Sequence, residues 1–282
     1  MKNEKWILLL LSLGTLTMSC DSAPNNSGTG QLTITTWGEE FIENGIPAHE
    51  FEDGWTVVFD KFIVLLQDVT TGPEGSSDSA LVAVDGCAAF DLVNPGPVSI
   101  AQLDTDSGTY NETAYTIAPA KSCSHPINTA AFEDVEMMTS KGYAVFISGT
   151  ASKEGETKSF AWGFSEPVHY AHCHSTAILK PDGQATIELT IHGDHFFYTS
   201  LSNPDSGLAF QTLADADSNH DDELTTDELK EFTGTDFMAL DNYDVGSLPV
   251  TNLYEYLAAQ SSTLGHIDGE GHCETAPHQS LQ

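Results

Sequence analysis

Two stretches of this chain carry donor atoms at spacings that suit metal ions. The first is Asp217–Glu228, DSNHDDELTTDE. Counting Asp217 as position 1, side-chain oxygens fall at positions 1, 3, 5, 9 and 12, from Asp217, Asn219, Asp221, Thr225 and Glu228. The backbone carbonyl of Glu223 supplies position 7. Carboxylate, amide, hydroxyl and carbonyl oxygens are hard donors, and calcium takes six to eight of them from such a loop. Leu224 at position 8 is an apolar pin for the loop. A register beginning at Asp215 would put Thr226 at position 12 and Asp222 at position 8. It loses the final carboxylate and the pin together. The plain alternative is a solvated acidic turn.

The second stretch is a set of histidines. His169, His172 and His174 lie in PVHYAHCHST, and His192, Asp194 and His195 in ELTIHGDHFF. On a strand, His172 and His174 share one face and Cys173 takes the other. Ile187, Leu189 and Ile191 alternate as a core face, so His192 is expected to point outward. Lys180-Pro181-Asp182-Gly183 reads as a hairpin turn, which would pair HSTAILK with QATIELTIH. That hairpin would bring His172 or His174 near His192. The expected ligands are His172, His174, His192 and His195, with Asp194 as ligand or orienting group. Imidazole donors suit zinc or copper. The alternative is a row of separately solvated surface histidines. Three further glutamates, Glu39, Glu40 and Glu43, cluster in WGEEFIE and read as a solvated acidic face. Met137 and Met138 read as packing groups rather than soft ligands.

The 217–228 segment resembles the EF-hand family over residues 205–235. The flanks agree, with Leu213 before the loop and Leu229 and Phe232 on one helical face after it. The family has glycine at position 6 for a sharp turn. Here it is Asp222, one of the few non-glycine types that enter the left-handed region. EF-hands usually come in pairs, and Asp241–Asn252, DNYDVGSLPVTN, resembles a degenerate second loop that has lost its ligands. The resemblance implies one calcium. For the histidine-bearing half the similarity is thematic only, to periplasmic β-sandwich copper or zinc proteins of bacteria.

These groups must be positioned by the surrounding elements. From Gln31 to about residue 198 the pattern is β: short runs rich in Val, Ile, Thr and aromatics, separated by Gly, Pro and Asp. Asn94 to Asp106 reads as a Pro/Gly/Asp-rich connection and Lys121 to Glu136 as irregular chain. From Ser206 the pattern turns helical, over the EF-hand, Asp236–Leu240 and Leu253–Gln260. The expected fold is mainly β, an antiparallel β-sandwich with a C-terminal helical EF-hand module. The expected boundaries are 1–19 signal peptide, 20–30 flexible tether, 31–204 β-domain, 205–273 helical module and 274–282 flexible tail.

Charge and the amino terminus narrow the class. With 9 Lys plus Arg, all of them lysine, against 42 Asp plus Glu, the net charge is −33. A nucleic-acid binder needs a basic footprint, and this chain has none. Its natural partners are cations, although an acidic surface also suits a salty habitat. Lys2 and Lys5 precede an apolar run, Trp6–Leu16, that is too short to span a bilayer and fits an export signal. Ser19-Cys20 resembles a bacterial lipoprotein processing site, which implies a lipid on Cys20 and a membrane anchor at the cell envelope. Leu16 lies one position further upstream than that pattern usually has it. Cys87, Cys123, Cys173 and Cys273 remain, an even count that in an exported chain reads as two disulfides. Three pairings are open. Cys87–Cys123 would bracket a strand-rich block. Cys173–Cys273 would tie the C-terminus to mid-chain and bring His266 and His272 of HIDGEGHC near the other histidines.

No H-E-x-x-H, G-x-S-x-G or phosphate-cradling glycine loop is present. The expectation is a calcium-binding cell-envelope lipoprotein with a second, His-rich zinc or copper site and no enzymatic activity. A calcium-stiffened adhesion module and a metal-dependent hydrolase are the alternatives.

Overall fold

The computed structural model describes residues 28–75, 80–123, 125–126, 129–203, 206–234 and 243–277. The expected export segment, Cys20, the start of the expected tether, Asp236–Leu240 and the first two residues of the Asp241–Asn252 stretch lie outside them. In chain order the elements are β1 (Thr29–Trp37), α1 (Glu39–Asn44), β2 (Thr56–Gly72), β3 (Leu81–Val82), β4 (Cys87–Asp91), β5 (Val98–Asp106), β6 (Gly108–Ile117) and β7 (His125–Pro126). Then come α2 (Phe132–Lys141), β8 (Val145–Lys153), β9 (Glu156–Phe164), β10 (Val168–Leu179) and β11 (Gln184–Ile191). A 3-10 turn (Asp194–Phe197), α3 (Gln211–Ala214), β12 (Glu223–Leu224), α4 (Thr226–Glu231), α5 (Leu253–Gln260), β13 (Gly265–Ile267) and β14 (Glu274–Pro277) complete the chain. Strands hold 47% of the residues and helices 17%, so the protein is mainly β.

The strands form two sheets. The smaller runs β13-β11-β1-β5. The larger runs β12-β9-β8-β2-β6-β10-β14, with β3 and β4 on β2 and β7 on β4. One buried core joins them: Leu32, Ile34, Ile187 and Leu189 from the small sheet meet Phe62, Val64, Tyr115, Trp162 and Leu179 from the large one. Burying each such side chain contributes roughly 1.5–3 kcal/mol. The sheets are mixed rather than antiparallel, because β1–β11, β9–β12 and β4–β7 are parallel pairs.

The expected hairpin is absent. Lys180–Gly183 does make a tight turn, with Gly183 N–H donating to Lys180 O at 2.9 Å. It carries the chain from one sheet to the other. Next to the turn, β10 pairs with β6 in the large sheet and β11 with β1 in the small one, and β14 and β13 take the second edges only at the far ends, Val168–Ala171 and Leu189–Ile191. Two elements also go beyond the sequence expectation. Residues 98–106 form β5, whose alternating V-S-I-A-Q-L pattern is a half-buried strand behind a Pro/Gly-rich entry. Residues 132–141 form α2, with Val135 and Met138 buried and Gly142 at φ 70 ending the helix. Its stripe is thin, since Phe132 is exposed.

The C-terminal third is woven into this body. Leu208, Phe210, Leu213, Leu224, Leu229, Leu253, Tyr256 and Leu257 belong to the same core as the sheets, and β12, β13 and β14 extend them. No break in the core marks the boundary expected near residue 205. Residues 274–277, expected to be a loose tail, are strand β14. Cys87–Cys123 and Cys173–Cys273 are the two disulfides, with Cα separations of 4.8 and 4.2 Å. Among the described residues, no helix is long and apolar enough to cross a membrane.

Gly265 shows how tightly β13 is seated. Tyr115 and Tyr170 stack with ring centroids 4.8 Å apart beneath it, and a β-carbon there would collide with the Tyr115 hydroxyl and the Tyr170 ring. Gly265→Ala should lower stability by about 1–3 kcal/mol, the usual cost of overpacking. Urea denaturation should show a lower midpoint with an unchanged slope, and an unshifted midpoint would contradict this seating.

Candidate metal centre

The centre forms where β11 ends. β13 pairs antiparallel with it, with Thr190 opposite His266 and Ile191 opposite Gly265. The ladder continues one residue further, His192 N–H donating to Leu264 O at 2.9 Å. Thr190 and His192 are two apart and share a face, so His266 lies on that face as the diagonal neighbour of His192. The 3-10 turn after Gly193 then swings His195 back over the pair. Ring centroids are 4.2 Å apart for His192–His266, 5.1 Å for His195–His266 and 5.4 Å for His192–His195. One ring nitrogen from each of the three lies within 4.8 Å of the others. Outward-facing His192 was the expectation, but the strand-end pairing buries it.

The hydrogen bonding of these rings is incomplete. His195 Nδ1 is anchored by Thr263 Oγ1 at 2.9 Å. His192 Nε2 and His266 Nδ1 are buried and have no hydrogen-bond partner among the described residues. An unpaired buried polar atom is costly, which makes two in one cluster informative. Burial, reinforced by the neighbouring His192, pulls the His195 pKa down to about 4. Burial and the other three histidines pull His266 down to about 3. Both imidazoles are therefore neutral at pH 7, the form in which a ring nitrogen is a metal ligand.

Two carboxylates and a fourth ring flank the triad. Glu39, at the start of α1, puts Oε2 at 3.7 Å from His192 Nε2. With Glu270 the two make a second convergent group. Gly193 makes this approach feasible, since a β-carbon there would sit 2.6 Å from Ile42 Cγ1 on α1. The His272 ring lies tilted against His266, with centroids 5.4 Å apart. Asp194 is buried, accepts from the Tyr198 hydroxyl at 3.1 Å, and has its pKa raised by burial. A polar cleft of about 400 Å³ opens against the centre, lined by His195, His266, Glu270, His272, Gln260 and Asn203.

Of the expected ligands, His192 and His195 thus come together; Asp194 lies beside them but is in neither convergent group and accepts from Tyr198, and His172 and His174 lie elsewhere. On β10 they are exposed and Cys173 is buried, as strand alternation requires. His172 Nδ1 pairs with Glu112 Oε1 at 2.8 Å, and His174 sits opposite Glu112 in the ladder. They face away from the core, because β10 is in the other sheet from β11. His266 had a sequence signal, through Cys273. Glu39 stood out only within the WGEEFIE cluster, read as a solvated acidic face, and Glu270 only as part of HIDGEGHC.

The Asp217–Glu228 loop lies on another edge, against β9. Glu223 and Leu224 pair with Ser159 and Phe160, Leu224 is buried, and Trp162 Nε1 donates to Leu224 O at 2.8 Å. The pairing partner is thus the sheet, not the Asp241–Asn252 segment. Asp222 has φ 65. Asp217 and Glu228 are nearly buried carboxylates. Both have pKa values below the ordinary range: burial works against this, but Lys158 and the Asp222 N–H overcome it at Asp217, as Thr225 does at Glu228. Lys158 Nζ sits 2.8 Å from Asp217 Oδ2, on the oxygen that also accepts from Asp222 N–H. Asn219, Asp221 and Thr225 place their side-chain oxygens along the same loop, and Thr225 and Glu228 form a reciprocal cap on α4. The loop's donors are hard oxygens, but Asp217, Asp221 and Glu228 are not among the groups of described residues whose ligand atoms converge within 4.8 Å, and Asp217 Oδ2 and Glu228 Oε2 accept from Lys158 and Thr225 respectively.

The depressed histidine pKa values have a stability consequence. Below the ordinary value near 6.5 the unfolded chain takes up protons that the folded chain refuses. Metal-free protein should therefore lose stability as pH falls from about 6.5 toward 4, by on the order of 3 kcal/mol through His195 alone. A His195→Asn/His266→Gln variant, followed by chemical denaturation in chelator, should lose that part of the pH slope. An unchanged slope would contradict neutral burial.

Comparison with known proteins finds no family model that matches this chain, and no curated protein or solved structure with significant similarity to it.

Proposed function

We propose that this chain is an exported metal-binding protein whose specific centre is His192, His195 and His266, taking zinc or copper. The observation that carries it is the pair of buried ring nitrogens, His192 Nε2 and His266 Nδ1, that have no hydrogen bond among the described residues and lie in a cluster with a third imidazole. A divalent ion supplies the partner that each lacks. The four cysteines after Cys20 are all in disulfides, so the donors are nitrogen and oxygen. Such a set suits Zn(II) or Cu(II) better than the softer Cu(I). Thr263 fixes the His195 ring, as a second-layer partner of a ligating histidine does.

Calcium in the Asp217–Glu228 loop is the second part of the proposal. Asp217, Asn219, Asp221, Glu223, Thr225 and Glu228 would hold it. The ion would offset the repulsion between the Asp217 and Glu228 carboxylates and stabilise the edge of the large sheet by linkage. At the millimolar free calcium of an extracellular setting even a weak site is filled. The disulfides favour a compartment outside the cytoplasm, in keeping with an export signal and a lipid anchor on Cys20. The proposed role is binding rather than turnover.

Element analysis of protein purified without added metal tests the centre. Wild type should carry close to one zinc or copper per chain, and His195→Ala/His266→Ala close to none. Calcium alone in wild type would remove the proposal. For the loop, Glu228→Gln should weaken calcium binding on the order of tenfold or more, since it removes a bidentate charge. Unchanged affinity in a calcium titration would place any calcium elsewhere.

A further inference from the structure

The two convergent groups at the centre share one ring. His192, His195 and His266 form an all-imidazole set, and Glu39, His192 and Glu270 a carboxylate-rich one. The sets do not merge, because all five ligand atoms do not lie within the same 4.8 Å of one another. They also differ in depth. Glu270 is exposed on the turn between β13 and Gly271, the Glu39 side chain is 27% exposed, and that of His192 is 6% exposed. The acidic pair alone would mean little. What points to a cation is His192, the residue common to both sets, whose Nε2 is buried, without a hydrogen-bond partner among the described residues, and 3.7 Å from Glu39 Oε2.

We propose that Glu39, Glu270 and His192 form an outer binding position for a divalent cation, which then passes through His192 to the inner imidazole set. This rests on the proposed metal centre at His192, His195 and His266. The outer position receives the hydrated ion from solvent. Its carboxylates are hard, charged donors that attract a cation at long range and exchange ligands readily. His195 and His266 then replace Glu39 and Glu270 around the ion while His192 stays bound. The fold serves this order: Gly193 lets α1 bring Glu39 against His192, and the Ile267–Gly271 bridge holds the turn that carries Glu270.

Cobalt(II) is a suitable probe, since its visible absorption reports uptake directly. Chelator-treated full-chain wild type should bind one equivalent. Glu39→Gln/Glu270→Gln should bind the same equivalent with unchanged equilibrium affinity, but associate at least about tenfold more slowly at low ionic strength. Release should slow by the same factor, because the path is the same in both directions. Glu270→Gln alone, on an exposed turn where folding is not at stake, should show part of the effect. Glu40→Gln, exposed and outside the group, should show none. An unchanged association rate in the double variant would overturn the proposal. So would a loss of affinity without slower association, which would make the carboxylates permanent ligands. Equal slowing in Glu40→Gln would also overturn it, since general charge would then be the cause, and so would two equivalents in wild type. If wild type takes up no cobalt, the imidazole centre itself fails, which is a separate and earlier result.

Discussion

The short antiparallel pairing of β13 with the end of β11 is the constraint on which the rest depends. Three rungs, Leu189–Ile267, Thr190–His266 and Ile191–Gly265, decide that two histidines 74 residues apart become neighbours. The pairing is held from below by Tyr115, whose hydroxyl donates to His266 O at 3.1 Å, and by Tyr170, which bonds Ser262 O at 3.1 Å. Downstream, Cys273 is tied to Cys173 and β14 is laddered onto β10. The segment carrying His266, Glu270 and His272 is thus fixed at both ends by the large sheet while it pairs with the small one. A site built this way borrows its rigidity from the core rather than from its own ligands.

Much of this was legible in the residues, and the failures have physical causes. Strand alternation placed Cys173 inward and His172 and His174 outward, because that depends only on period two. The cysteine count and bracketing led to the correct pairing, and through it to His266. The hairpin reading failed because the Lys180–Gly183 turn has the local chemistry of a hairpin, whereas pairing is decided by long-range partners. β11 is laddered along its length onto β1 in the small sheet, while β10 is laddered onto β6 in the large one. The outward assignment of His192 failed for the same reason, since a strand end is exposed only if nothing pairs beyond it, and Leu264 does. Glu39 sat in a segment that looked like a solvated acidic face. Its neighbour Glu40 is just that, and only tertiary packing at Gly193 separates the two.

The 217–228 loop illustrates a different economy. A calcium-type loop generally needs a neighbour for its short strand, and the sequence offered a degenerate second copy. The protein instead uses β9 of its own sheet. That strand contributes Ser159 N–H to Asp222 O, Lys158 to Asp217 and Trp162 to Leu224. A single loop can therefore be held in shape without a twin. The buried ammonium of Lys158 and the Asp222 N–H share Asp217 Oδ2, while the Asp221 N–H bonds Oδ1 at 3.3 Å, so this carboxylate fastens the loop on both sides.

The parallel pairing of β1 with β11 has a consequence for how the chain comes together. Thr35 of β1 bonds Glu188 across 153 residues, and β1 lies between β5 and β11. The first described strand is thus an interior strand whose second neighbour is made late. Until that neighbour arrives, β1 offers an open row of backbone donors and acceptors, the surface that invites wrong pairing. Contacts of such long range also slow folding, since much loop entropy is lost before they form. Pairing of β1 with β11 must wait for a strand that lies 153 residues further along the chain, and the small sheet is complete only when β13, Gly265–Ile267, joins it.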